Sequence, residues 1–205
     1  GKLDPGLLYF NGYYPDPGFS ITSLAPLSLD LIYTRYQLFG LESSLFFEPF
    51  TLAFEGGFFL SEDRSGSDSA LFNNKLAYLA ELSYTHPSTS AFVALAYQGR
   101  YVFDFSTNAS DIDVLSSYDG KAYENTLIFV VEYPLIQQKL TLRGALTYQM
   151  ESEGYAFLLG LSYALEDNLQ VFGKATFYGA LGTKSSLYKS WDDNDVVMVG
   201  LQAWF

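Results

Sequence analysis

Apolar and polar residues alternate one for one along most of this chain. That period constrains the fold more than any other feature of the sequence. In KLTLRGALTYQME, Leu140, Leu142, Leu146, Tyr148 and Met150 fall on one face, with Lys139, Thr141, Arg143, Thr147, Gln149 and Glu151 on the other. KAYENTLIFVVEY repeats the pattern: Tyr123, Leu127, Phe129, Val131 and Tyr133 oppose Glu124, Thr126 and Glu132. Successive side chains of a strand point to opposite sides, so a period of two reads as strand rather than helix. Ten strands are expected, over 6–14, 28–47, 50–61, 74–86, 90–106, 121–133, 139–151, 155–165, 169–180 and 195–205. The second is long enough to predict a bend or bulge near Gly40.

The connections alternate in length. Short turns fall at FEPF (47–50), HPST (86–89), PLIQQ (134–138) and LEDN (165–168). Longer loops fall at 15–27, 62–73, 107–120 and 181–194, with ESEG (151–154) the short member of that set. Every short turn then lies at one end of the sheet, together with both termini. An all-β, transmembrane, antiparallel up-and-down β-barrel has this layout, with short periplasmic turns and long extracellular loops. Residues 1–205 read as one such domain.

Alternation alone does not say which face points inward. A soluble barrel or sandwich would bury the apolar face, and a membrane barrel would expose it to lipid. The polar face is unlike a wetted surface, because Ala94, Ala96, Val102, Ile128, Val130, Ala156, Gly160 and Ala164 sit among its charges. The apolar face carries Tyr84, Tyr97, Tyr101, Phe103, Tyr123, Tyr133, Tyr148, Tyr155 and Tyr163 near strand ends, as an interfacial aromatic girdle would. The strands are also longer than the roughly 5–6 residues usual in soluble proteins. The bilayer is therefore the expected partner, with the polar face lining a lumen.

Composition narrows the alternatives. Charged residues are 17% of the chain and apolar residues 49%, which argues against disorder. A net charge of −12, with no basic stripe, excludes a nucleic-acid binder. No run of 18 apolar residues offers a transmembrane helix. The opening GKLDPGLLYF is not a signal peptide, so the chain is expected to be mature or to have lost an upstream part. With no cysteine and a single histidine, His86 in a turn, no cofactor or metal site is expected. No nucleophile, base and orienter come together in the sequence, so an enzyme is not expected. Asp111, Asp113, Asp119, Asp192, Asp193 and Asp195 read as solvated loop residues. Tyr188, Trp191 and Phe19 could fold over a barrel mouth or touch a ligand.

The lumen face should carry Glu42, Glu55, Lys75, Glu81, Arg100, Asp104, Glu124, Glu132, Arg143 and Lys174. Counting from the turns sets Glu42 near Glu55 and Glu55 near Glu81, with Arg143 and Lys174 at comparable depth on later strands. One wall is then acidic and the other basic. The charges either pair across a narrow interior and plug it, or set a field across an open pore that selects small solutes.

In the last strand Val197, Val199, Leu201, Ala203 and Phe205 share the lipid face, and Met198, Gly200, Gln202 and Trp204 face inward. This alternating strand with a terminal Phe resembles the C-terminal signal of bacterial outer-membrane barrels. The resemblance implies recognition by the outer-membrane barrel assembly machinery, through Val197, Val199, Leu201 and Phe205. It also implies that the barrel finishes where the chain does. A wider likeness starts at Arg35. LFGLESSLFFEPFTLAFEGGFFLSED, KLTLRGALTY, EDNLQVFGKATFYG and WDDNDVVMVGLQAWF are similar to the C-terminal portion of alginate-export-type porins and related outer-membrane families. On that likeness Glu42 and Glu55 occupy the acidic positions flanking a short turn, and the protein is an outer-membrane, porin-like channel for passive passage of small solutes. Those families form larger barrels. A complete ten-stranded barrel and a part of a wider one both stay open. So does a closed structural or surface-interaction barrel, or a subunit of a larger complex, that transports nothing.

Overall fold

The computed structural model describes residues 2–24, 27–117, 119–183 and 186–204, with 20–22, 24, 27 and 29 as backbone only. Ten long strands build one antiparallel sheet. They are β1 (Lys2–Tyr13), β4 (Arg35–Phe47), β5 (Phe50–Ser61), β6 (Lys75–Thr85), β7 (Phe92–Val102), β8 (Tyr123–Leu135), β9 (Leu140–Gln149), β10 (Gly154–Glu166), β11 (Leu169–Ala180) and β12 (Val196–Ala203). Each pairs with the next in that order. Two further strands, β2 (Gly18–Leu24) and β3 (Leu27–Ile32), pair only with one another. Short helices α1 (Ile112–Ser116) and α2 (Leu187–Ser190) sit in two of the longer connections.

The up-and-down order and the alternation of short and long connections are as the sequence implies. The departures have local causes. The predicted strand 28–47 is two elements, and it breaks at Tyr33–Thr34 rather than bulging at Gly40. Thr34 is fully buried: its carbonyl accepts from the Tyr14 N–H at 3.0 Å and its hydroxyl from the Phe72 N–H at 3.1 Å. Those bonds turn the chain out of the sheet into the β2–β3 hairpin, which occupies most of the predicted loop 15–27. Gly40 instead runs in register between Leu8 and Gly57, and its missing side chain leaves room for Leu8. β1 begins four residues earlier than expected, and β7 stops at Val102 rather than 106. Phe205 lies outside the described residues.

Exposure follows the expected faces. The register aligns Leu3, Leu45, Leu52, Leu82, Leu95, Phe129, Leu146, Phe157 and Phe177 in one row across nine strands, and every one is exposed. On the opposite face Ala94 and Ala96 are only 5% and 6% exposed. Burial therefore follows the polar face. Among the described residues a buried apolar cluster, Tyr14, Phe72 and Ile112, packs with Tyr36 and Phe59 at the long-loop end of that face. Closure, which the sequence left open, is not seen among the described residues. β1 bonds to β4 and β12 to β11, and the described residues form no ladder between β1 and β12.

Candidate pore wall: the polar face and its loop body

The acidic half of the polar face is built by register. Glu42 lies directly opposite Glu55. Glu55 faces Leu79 on β6, and Glu81 faces Ala53, which makes Glu81 the diagonal neighbour of Glu55. Asp4, opposite Ser44, adds a fourth carboxylate on β1. It escaped the sequence reading only because that reading started the first strand at residue 6. The Glu42 side chain lies over Gly6, where any Cβ would collide with its carboxylate. Among the described residues no Lys or Arg reaches Asp4, Glu42, Glu55 or Glu81 within ion-pair distance. Opposed like charges are unfavourable. Exposure of Glu42 and Glu55 keeps them solvated. Above them a hollow of about 330 Å³ is lined by Leu8, Leu38, Phe59, Leu79 and Gln98, with both glutamates in its wall.

Cations appear on later strands, as expected, but they pair along the sheet and not across a lumen. Arg100, opposite Glu124, grips it with two bonds of 3.1 Å and donates a third, also 3.1 Å, to the Ser116 carbonyl. Arg143, opposite Glu132, approaches it to 3.8 Å. Lys174 stands 5.2 Å over the Phe172 ring, and no carboxylate pairs with it among the described residues. A hollow of about 320 Å³ separates Glu132 and Arg143 from Lys174 and Gln202. Asp104 is not on the wall. It lies past the end of β7 at a left-handed φ of 53°, and its carbonyl accepts from Asn73 Nδ2 at 3.3 Å. The chain has already turned into its loop there, so Asp104 serves as a loop tie.

Three loops, 14–34, 62–74 and 103–122, form one body over the β1–β8 end of this face. Its centre is Lys75. The ammonium lies 4.3 Å from the Tyr14 ring centroid, 4.8 Å from Phe59 and 5.9 Å from Phe72, inside an aromatic cage. Tyr14 also stacks on Tyr36 at 4.3 Å. Asp111 caps α1 by accepting from the Asp113 N–H, and the Asp113 carboxylate accepts from the Asn73 N–H at 2.9 Å. The Ile112 N–H donates to Ser69. Asp111 and Asp113 are thus buried, not solvated as expected, because they satisfy backbone donors where loops meet. Burial holds the Asp113 carboxyl above the usual carboxylate range. Burial, then the nearby Asp113 charge, raises the Tyr14 hydroxyl as well.

Asp119 pairs with Lys121 at 3.1 Å. In the last loop Asp195 accepts from the Tyr178 N–H at 3.0 Å, and Asp192 and Asp193 are exposed. Tyr188 and Trp191 fold onto Tyr178, at 6.1 and 5.4 Å between ring centroids. Phe19 is exposed on β2. His86 organises its turn: Nδ1 accepts from the Ser88 and Thr89 N–H groups, each at 3.3 Å.

The apolar face holds a polar cluster that sequence reasoning missed. Asn125 Oδ1 accepts from the Tyr78 and Tyr97 hydroxyls at 2.5 and 2.6 Å. Its backbone N–H and Nδ2 donate to the two Glu151 oxygens at 2.7 and 2.6 Å. The signal was present, since Asn125 interrupts the apolar register Tyr123, Leu127, Phe129.

Val197, Val199 and Leu201 point to the apolar face beside Ala175, Gly173 and Val171, as their alternation implies. Among the described residues no group of three or more His, Asp or Glu side chains could hold a metal ion. No protein-family model, curated protein or solved structure matches this chain.

Proposed function

We propose that this chain forms the wall of a transmembrane β-barrel in a bacterial outer membrane, and that small solutes pass along its polar face. The observation that carries the reading is the exposed leucine and phenylalanine row across nine strands, with small residues buried on the opposite face. Water would penalise that arrangement at about 25 cal/mol per Å² of apolar surface, and lipid removes the penalty. Tyr84 and Tyr133 near the short turns, and Tyr101 and Tyr123 near the long loops, suit the two membrane interfaces. Asp4, Glu42, Glu55 and Glu81 gather on β1, β4, β5 and β6 with no ion pair among the described residues, so that side of the lumen wall favours cations. The resemblance to porin segments agrees with this reading, and the barrel assembly machinery is the partner it implies.

Purified protein incubated with liposomes is expected to resist carbonate extraction and to give conductance steps. Vesicles that retain the protein yet show neither conductance nor solute flux would overturn passage of solutes. The second reading, a barrel that transports nothing, draws on the loop body around Lys75, which covers part of the polar face. It predicts insertion without conductance.

A further inference from the structure

We infer that a polar hollow between two of the long loops binds a monosaccharide-sized polyhydroxy solute that carries no negative charge. The hollow, of about 260 Å³, is floored by the polar face of β7, β8 and β9. Its role as a station for passing solutes rests on the pore reading above, whereas binding needs only the hollow. Register builds the floor. Gln98 lies opposite Thr126, and Thr126 opposite Gln149. Three hydrogen-bonding side chains therefore share one height on neighbouring strands about 4.8 Å apart. Thr147 stands one alternation before Gln149 on β9. Asp119 reaches the hollow from the loop 103–122, Tyr188 from α2, and Ser152 from the turn between β9 and β10.

This floor is short of partners. Gln98, Thr126 and Thr147 are half-buried, and among the described residues no hydrogen bond reaches their side chains. The Ser152 hydroxyl donates to Gln149 Oε1 at 2.9 Å, which leaves the Nε2 end of that amide open. Asp119 adds an acceptor. Its side chain is only 10% exposed, and Lys121 pairs with its Oδ2 at 3.1 Å. Its Oδ1 is buried with no hydrogen-bond partner. Buried polar atoms are normally bonded, so an orphaned carboxylate oxygen marks a missing donor.

These groups select the chemistry of the ligand. Gln98 and Gln149 offer amide donors, Gln98 and Asp119 offer acceptors, and the hydroxyls of Thr126 and Thr147 do both. Neighbouring hydroxyls on one solute match that set, because each gives and takes a hydrogen bond. An apolar solute would leave the protein groups unmet. An anion would meet the carboxylates of Asp119, Glu124 and Glu151. Those carboxylates do not come together as a metal-binding group among the described residues. At about 260 Å³ the space falls below the roughly 300–1,000 Å³ of drug-sized sites, so it takes a single ring rather than a chain. Tyr188 supplies aromatic surface for the C–H side of such a ring.

The test uses the whole chain refolded in detergent micelles, so that binding is read without membrane passage. D-glucose, D-glucosamine and D-glucuronate are titrated, and their saturation-transfer NMR signals are followed. Glucose and glucosamine are expected to give saturable signals, and glucuronate to bind at least several-fold more weakly. Thr147→Val, which removes one hydroxyl and little volume, should weaken glucose binding roughly 2–10-fold. Thr126→Arg, whose side chain would occupy the hollow, should abolish saturation. An unchanged denaturant midpoint shows that each variant is folded. No saturable glucose signal from the folded protein would mean that water alone fills the hollow, and would overturn the inference. Equal glucose affinity in the unaltered protein and both variants would overturn it too, by placing binding elsewhere. So would glucuronate bound as tightly as glucose. Conductance of the same protein in liposomes separates the two readings. Conductance without glucose binding sinks the site alone, and glucose binding without conductance keeps the site and sinks the pore.

Discussion

Asn125 uses both ends of its amide on the apolar face of the sheet, binding two tyrosine hydroxyls and, with its backbone N–H, both oxygens of Glu151. Four strands, β6 to β9, meet there or at the turn just beyond. Asn125→Leu suits the apolar face by type but leaves two hydroxyls and a carboxylate short of partners. It should destabilise by about 2–3 kcal/mol, read as a lower denaturant midpoint at unchanged slope. Asp63 gives a pH prediction. Its carboxylate accepts from the Asp68, Ser65 and Gly66 N–H groups and from the Ser65 hydroxyl, and the Asp68 bond contributes most to holding its pKa below the usual value. A carboxyl lowered in the fold stabilises above its unfolded pKa, and that support is lost as pH falls through the folded one. The protection factors of the Ser65, Gly66 and Asp68 amides should therefore fall in acid, below the ordinary aspartate range. Asp63→Asn should remove that acid step. The Glu42–Glu55 contact was legible because a tight turn fixes register within a few residues of itself. The Lys75 cage was not, because Tyr14 and Phe72 reach Lys75 through loops whose paths no local period encodes.

At the scale of elements, alternation located every long strand, since each must keep one face apolar along its length. It missed the β2–β3 hairpin, which is short and leaves the sheet at Thr34. Threonine is a good strand former, so its residue type carries no sign of the break. What holds the hairpin is a close approach to another loop: a Cβ on Gly18 would fall on the Ala70 carbonyl oxygen. Gly18→Val is expected to push the hairpin off loop 62–74 and leave the ten-stranded sheet intact. Limited proteolysis should then cut within 14–34 at least several-fold faster, with the rest of the digestion pattern unchanged. Equal cutting rates would mean that Gly18 does not seat the hairpin.

At the scale of the whole molecule, the sequence indicated which residues share a face and that the apolar one is open, and the structure leaves that face exposed. Leu95→Arg, in the middle of the exposed row, should destabilise the protein by about 2–4 kcal/mol in a bilayer. Thr126→Arg, on the opposite face beside a hollow of about 260 Å³, should be tolerated. Urea unfolding in lipid vesicles compares the two, and equal costs would refute the assignment of faces. In planar bilayers Glu42→Gln with Glu55→Gln should move the reversal potential toward lower cation preference at unchanged insertion. Closure was not legible, because alternation is a property of each strand while closure belongs to the set of strands.

The loops of this sheet also differ in height. The described residues of 14–34, 62–74 and 103–122 pack into one body, and in the last loop Tyr188 and Trp191 fold onto Tyr178. Between β9 and β10 the chain turns back within Met150–Glu153. A barrel walled by this sheet has a parapet with one low sill, and the sill is acidic, with Glu151 and Glu153 on it. On the pore reading proposed above, a solute arriving from the long-loop side would find its shortest way over the rim across four residues, two of them acidic.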